Sequence, residues 1–327
     1  MEDTTFPKVN TAAVAAALGA MICLVFAPAD AIESARYGLS LCAELIVPSL
    51  LPFFAASALL IRLQIPALFG KLLAPLSEKL WGVSGVGASA FLAGICGGYP
   101  LGAQTVAEMA AEKQLSREEA ERLLAFCNNS GPSFCIGVIG SGVFVSRRAG
   151  IVLYAIHVLS ALLVGILFRG KAICSEPIKG IPEPRFSSAL VGAIRQAVSA
   201  VLSVCGFVVC FCVLTGLLES LGVLGAVSRV AASLFGADER VLHAFLTGLF
   251  ELGSGIGRMR GLSHSPALFS LAAFLTGWGG LSVSFQTAAV LSESNLSLRY
   301  HLIGRMLSGT FSAILAFLAG QLLFPSA

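Results

Sequence analysis

The sequence has few charged residues, and this excludes most classes of soluble protein. Asp, Glu, Lys and Arg make up 12% of the 327 residues, about half of the roughly 25% that is usual in soluble domains. The net charge is only +3, which forms no basic face for nucleic acid. Hydrophobic residues make up 56%, and the mean hydropathy is +0.87. The composition therefore predicts a polytopic protein that lies in the lipid bilayer and binds no nucleic acid.

Motifs for enzymes, metals and cofactors are also lacking. The 9 cysteines contain no CxxC pair, so we expect neither a disulfide framework nor a zinc site. The sequence has no HExxH, nucleophile elbow or Walker loop, and Gly253–Gly257 lacks the strand that must precede a dinucleotide-binding turn. We expect a protein that is not an enzyme and has no cofactor. An intramembrane serine hydrolase using Ser130 and His157 is an alternative, but no sequence feature places these two residues together.

Long apolar runs are abundant. A helix needs about 20 residues to cross the hydrocarbon core of a bilayer. Five runs approach this length without interruption: Val9–Ala27, Leu45–Ile61, Ile151–Phe168, Ala189–Leu218 and Met306–Phe324. The first run could instead be a secretory signal, but its length suits a span. Bases in the loop 169–185 favour the cytoplasmic side for that loop.

Four further apolar stretches are interrupted by polar or glycine-rich residues. The interruptions are Gly97–Pro100, Asn128–Pro132, Gly253–Gly255 and Gly277–Gly280. Backbone can leave a helix inside a membrane only where protein or a water-filled cavity satisfies its polar groups. We therefore expect the four breaks to meet at one central cavity.

The two halves of the sequence have the same order of segments: span, amphipathic helix, two broken helices and span. Pro66–Leu80 and Gly222–Phe235 are the amphipathic segments, which we expect to lie in the membrane interface. Paired interrupted helices in two halves are typical of transporters. The predicted fold is all-α and polytopic, with an internal repeat that we expect to be inverted. We divide the chain into an N-terminal helix and connector (1–40), a first repeat (41–168), a linker (169–188) and a second repeat (189–327).

Candidate substrate-binding residues lie at the breaks. The new helix after Pro100 directs backbone N–H groups and a favourable dipole toward an anion, and the side chains near the other breaks add amides, hydroxyls and charges. The candidates are Gly98, Tyr99, Pro100, Gln104, Asn128, Asn129, Ser130, Ser133, Glu251, Ser254, Arg258, Ser282 and Gln286. They suit a small polar or carboxylate ligand.

Structural interpretations of these residues stay open. Gly–Pro pairs also form turns outside the membrane, with asparagines as helix caps. Glu251 at membrane depth costs roughly 2.5–3.5 kcal/mol unless it is paired or hydrated, which favours a functional role. Arg258 or Arg260 could pair with Glu251 or with a substrate carboxylate, or could face lipid headgroups.

Several of these motifs together resemble a known family. Gly97-Gly98-Tyr99-Pro100, Ser116-Arg117-Glu118-Glu119-Ala120 and Phe126–Pro132 are similar to the characteristic motifs of the sporulation integral membrane protein YlbJ family. That family belongs to a wider group with nucleoside-recognition gate domains. The likeness extends through residues 251–256 and 278–286 and covers most of the chain after residue 40.

The resemblance implies a role in bacterial spore formation. It implies transport of dipicolinic acid, a small aromatic dicarboxylate, across a membrane of the developing spore. Alternatives are a membrane scaffold or gate subunit of a sporulation complex that does not transport, and a transporter of the nucleoside type. Expected partners are the carboxylate substrate and lipid, together with further copies of the chain or other sporulation membrane proteins.

Overall fold

The protein is built from α-helices throughout the residues that the computed structural model describes, 11–63, 65–171, 185–292 and 294–325. The helices, α1 to α15 in chain order, are Thr11–Phe26, Pro28–Leu41, Val47–Arg62, Ile65–Trp81, Gly85–Gly97, Leu101–Ala111, Arg117–Leu124, Arg147–Leu167, Phe186–Ser220, Val223–Phe235, Glu239–Phe250, Leu252–Arg258, Pro266–Trp278, Gly280–Leu291 and Arg299–Leu323. Two π-helical segments, Cys42–Ile46 and Ser133–Ser141, complete the described secondary structure. The predicted all-α fold is confirmed.

Four helical stretches in the described residues are long and apolar enough to cross a bilayer. They are α8, α9, the α13–α14 pair and α15. Two bent pairs raise the number to six: α1 meets the helix that starts at Pro28 at 104°, and α4 meets α5 at 89°. The predicted spans Ile151–Phe168, Ala189–Leu218 and Met306–Phe324 are therefore confirmed as parts of α8, α9 and α15.

Two other predicted segments differ in the structure. Leu45–Ile61 is not a separate span, because α2 continues through Cys42–Ile46 into α3 and the apolar part of α3 is short. Helix α5, expected to share a broken span with α6, packs against both α6 and α4, and its pair with α4 is the one that is long and apolar enough for a span. A Cβ at Gly85 would lie 1.9 Å from the Gly70 carbonyl oxygen, so glycine permits this close packing. The interfacial position of α4 and α10 stays a prediction.

The helices occur in the same order in the two halves. In each half one helix (α3 or α9) precedes a second helix (α4 or α10), two interruptions and a closing span (α8 or α15). α2 and α3 pack along α9, and α13 packs along α15. The inverted orientation of the repeats and the domain boundaries stay predictions. Most of the predicted linker, residues 172–184, lies outside the described residues.

Candidate functional site

The break between α5 and α6 is held against the rest of the protein by glycines and one tyrosine. Gly98 has a φ of +89°, a conformation that glycine adopts without strain. A Cβ at Gly102 would lie 2.1 Å from the Cys127 carbonyl oxygen, so glycine lets α6 approach that segment closely. The Tyr99 hydroxyl donates a 2.5 Å hydrogen bond to the Thr276 carbonyl oxygen. This bond connects the first break to α13 in the second half.

The polar residues of the break after α7 are buried and bonded inside the protein. Asn128, Asn129 and Ser130 are each at most 1% exposed. The Asn128 side-chain amide donates to the Thr287 hydroxyl over 3.0 Å, and the Asn129 amide donates to the Phe126 carbonyl oxygen over 2.7 Å. Asn128 therefore connects this break to α14, and Asn129 bonds within its own segment.

The third break lies at Glu251, so its predicted position at Gly253–Gly255 was wrong. Glu251 has extended backbone angles, and α12 starts directly after it. Its carboxylate accepts hydrogen bonds from the backbone N–H groups of Gly253 (2.9 Å) and Ser254 (2.5 Å). Because this carboxylate satisfies the first amides of α12, the glycines can be helical. The side chain is buried, with 4% of Glu251 exposed.

The fourth break, between α13 and α14, lies at its predicted position. Gly279 has a φ of +85° and separates the two helices. The indole N–H of Trp278 donates to the Leu249 carbonyl oxygen over 3.1 Å and fixes the break against α11. One turn further into α14, the Gln286 amide donates to the Ser282 hydroxyl over 3.2 Å.

A small cavity of about 130 Å³, the inner cavity, lies where the breaks come together. The first three breaks line it directly, and the fourth reaches it through Val283 and Gln286 of α14. Its other described walls are mainly aliphatic and aromatic side chains from α2, the π-helical segments, α3 and α9. The lining contains one acid, Glu251, and no base among the described residues.

Two larger cavities, here called the α6 vestibule and the α12 vestibule, flank the inner cavity along α9. The α6 vestibule, about 590 Å³, contacts α9 at residues 196–204, and the α12 vestibule, about 560 Å³, contacts it at residues 212–220. The inner cavity contacts α9 between them, at Val204 and Val208. At about 1.5 Å per residue, the three contacts extend over roughly 36 Å, more than the roughly 30 Å of hydrocarbon in a bilayer.

Each vestibule contains a carboxylate with hydrogen-bonding partners. In the α6 vestibule, Glu108 accepts a 3.1 Å hydrogen bond from the Gln104 amide. In the α12 vestibule, a Glu219 oxygen lies 2.7 Å from a His243 ring nitrogen and 3.9 Å from an Arg258 nitrogen. Both vestibules therefore contain polar side chains, in contrast to the mainly apolar inner cavity.

The structure brings most of the candidate residues to these cavities. Those at the inner cavity are Gly98, Tyr99, Ser130, Ser133, Glu251 and Gln286. The α6 vestibule is lined by Pro100 and Gln104 and also by Gln286, and the α12 vestibule by Ser254 and Arg258. The remaining candidates, Asn128, Asn129 and Ser282, are buried beside the inner cavity residues and bond within the protein. Substrate binding by any of them stays a prediction.

Sequence reasoning missed Arg305. The predicted span started at Met306, whereas α15 starts at Arg299 and places Arg305 inside the helix. Arg305 is fully buried, and its Nη2 donates to the Asn129 side-chain oxygen over 3.5 Å. The signal was present, because an ionisable residue in an apolar helix marks a functional candidate.

The contact between Ser130 and His157 does not support the alternative of a serine hydrolase. Ser130 and His157 do meet in the structure, which the sequence did not predict. The His157 Nε2 atom accepts a 2.9 Å hydrogen bond from the backbone N–H of Ser130. This nitrogen is therefore engaged with the backbone and is not placed as a general base for the Ser130 hydroxyl.

Long apolar helices around a central cavity define this chain as an all-α polytopic integral membrane protein. It is similar to the sporulation integral membrane protein YlbJ of Bacillus subtilis (strain 168), with 32% identity over an alignment of 347 positions. The alignment covers 98% of this chain and 85% of the relative. The chain belongs to the YlbJ family of sporulation integral membrane proteins. No family model and no solved structure matches the chain.

Proposed function

We propose that the protein transports a small organic anion, dipicolinic acid, across a membrane during spore formation. The observation that carries this proposal is the row of three cavities along α9, with the helix breaks at its centre. Such a row suits a substrate path across the bilayer, and broken helices surround the binding sites of many transporters. Membership of a family of sporulation membrane proteins supports the biological setting.

The inner cavity suits a closed state of such a transporter. Its volume of about 130 Å³ is below the roughly 300–1,000 Å³ of ordinary ligand pockets. A Cβ at Gly98 would lie 3.2 Å from the Gly131 backbone nitrogen, so the first two breaks are in contact. Separation of these two breaks would enlarge the cavity and connect it to a vestibule.

The lining chemistry favours a flat molecule that has an apolar ring and polar groups at its edge. Tyr99 and Phe134 supply aromatic surface, and Ser130, Ser133 and Gln286 are polar residues of the same lining. Aromatic surface and a few placed polar groups are typical of small-molecule sites. An aromatic carboxylate such as dipicolinate satisfies both requirements.

Uptake by reconstituted protein tests the proposal against its two rivals, the scaffold and the nucleoside transporter. Proteoliposomes and protein-free liposomes would be given labelled dipicolinate, with unlabelled dipicolinate or uridine as competitor. We expect saturable uptake that unlabelled dipicolinate inhibits and uridine does not. No uptake above the protein-free control would contradict transport of this substrate, and inhibition by uridine would favour the nucleoside alternative.

A further inference from the structure

A buried cation lies behind the wall of the inner cavity. Arg305 is 0% exposed, and its Nη2 donates to the side-chain oxygen of Asn129. Its guanidinium also interacts electrostatically with the Tyr99 hydroxyl. Tyr99 lines the inner cavity, as does Ser130, the residue after Asn129. Arg305 therefore lies beside residues that line the cavity.

The charge of Arg305 has no counter-ion within the described part of the chain. None of the ion pairs formed there includes Arg305. Its Nε and Nη1 atoms are buried and make no hydrogen bond with any described residue. It acts electrostatically on Tyr99, Cys127, His157 and His301.

A buried charge without a partner is strongly unfavourable. An anion bound beside Arg305 would balance this charge. Guanidinium groups bind carboxylates with strong, charge-assisted hydrogen bonds. The inner cavity itself contains Glu251 and no described base, and thus cannot by itself attract an anion. Arg305 supplies the missing positive charge.

We infer that Arg305 and Asn129 form an anion subsite that binds the carboxylate of an aromatic acid when the Tyr99 side chain moves aside. The inference rests on the proposed function for the identity of the substrate. It goes further because it names Arg305 as the residue whose charge makes the protein prefer an acid to its neutral analogue.

A structural role for Arg305 makes a different prediction. If the bond to Asn129 mainly stabilised the fold, loss of the guanidinium would lower stability and weaken the binding of charged and neutral ligands alike. If the charge serves ligand binding, the fold should tolerate methionine, because this substitution removes a buried charge that has no counter-ion among the described residues.

The test is equilibrium binding to the purified full-length protein in detergent, with thermal unfolding measured in parallel. The ligands are dipicolinate, its neutral diamide, benzoate and benzamide. The variants are Arg305→Met and Arg305→Lys, with Arg229→Met as a control, because Arg229 is exposed on α10 and does not line any of the three cavities. We expect Arg305→Met to lose anion affinity by about 10- to 100-fold, with amide binding unchanged. Arg305→Lys should retain part of the preference for anions, and Arg229→Met all of it.

Unchanged anion affinity in Arg305→Met would overturn the inference. An equal loss of anion and amide binding, or unfolding of Arg305→Met, would also overturn it by assigning a structural role. If the unmodified protein binds benzoate through Arg305 but does not bind dipicolinate, the proposed substrate is wrong and the anion subsite stands. If the unmodified protein binds no anionic ligand, both are wrong.

Discussion

At the scale of single residues, Glu251 combines two roles. Its carboxylate accepts the hydrogen bonds of the Gly253 and Ser254 backbone N–H groups, and the same residue lines the inner cavity. One of these bonds comes from Ser254, which lines the α12 vestibule. A carboxylate buried inside a membrane protein is costly and marks a substrate or ion pathway, so we expect its charge to take part in transport.

Replacement of Glu251 by glutamine separates these roles. Glutamine keeps the volume and one acceptor for the cap, but it removes the charge. We expect Glu251→Gln to insert normally and to take up labelled dipicolinate more slowly, because it lacks this charge. Glu33→Gln is the control, since it removes an acid from the α12 vestibule without affecting this cap. A normal rate of uptake by Glu251→Gln would mean that Glu251 only caps the helix.

The sequence indicated Glu251 but not its local geometry. A carboxylate in an apolar stretch predicted a functional candidate, whereas three nearby glycines suggested the wrong position for the break. Glycine in a helix is tolerated when a cap stabilises the helix start, and this depends on a side-chain contact that the sequence does not specify. Burial of Arg305 was similarly unpredictable, because it depends on which face of α15 packs against the protein.

At the scale of helices, close backbone packing fixes the first break. Gly102→Ala would place a Cβ 2.1 Å from the Cys127 carbonyl oxygen, and such overpacking costs about 1–3 kcal/mol. We expect a lower midpoint of thermal unfolding in detergent. Gly206→Ala in α9 is the control, because nothing lies within 4 Å of its added Cβ. It should match the unmodified protein or be up to about 1 kcal/mol more stable. Equal midpoints for both variants would refute the packing argument.

Helix α9 provides a second test at this scale. Ser199 lines the α6 vestibule and Ser220 the α12 vestibule, and both are exposed. In a background without native cysteines, we expect Ser199→Cys and Ser220→Cys to react with a membrane-impermeant thiol reagent from opposite sides of the membrane. Leu202→Cys should not react, since Leu202 is 65% exposed on the apolar outer face of the helix. Labelling of both serine positions from one side would contradict a path along α9.

Helix existence was more predictable than helix pairing. Runs such as Ala189–Leu218 predicted spans because length and hydropathy are local properties. The pairing of α4 with α5 was not predicted, because it depends on the close approach of Gly70 and Gly85. Three of the four breaks lay where glycine, proline or asparagine had indicated them.

At the scale of the whole molecule, the two halves contribute to one cavity. Tyr99 and Ser130 of the first half and Glu251 and Gln286 of the second line the same space. The shared order of helices agrees with a duplicated unit, and its inversion stays a prediction. A transporter built from two such halves would open by moving one half relative to the other.

Blocking the inner cavity tests the central claim, that the cavities along α9 form the substrate path. Val208 is 5% exposed and lines the inner cavity, while Leu202 on the same helix faces outward. The measurement is uptake of labelled dipicolinate by proteoliposomes that contain the unmodified protein, Val208→Trp or Leu202→Trp in equal amounts. We predict saturable uptake by the unmodified protein and Leu202→Trp, and its loss in Val208→Trp. Equal uptake by all three, or none by the unmodified protein, would contradict the account.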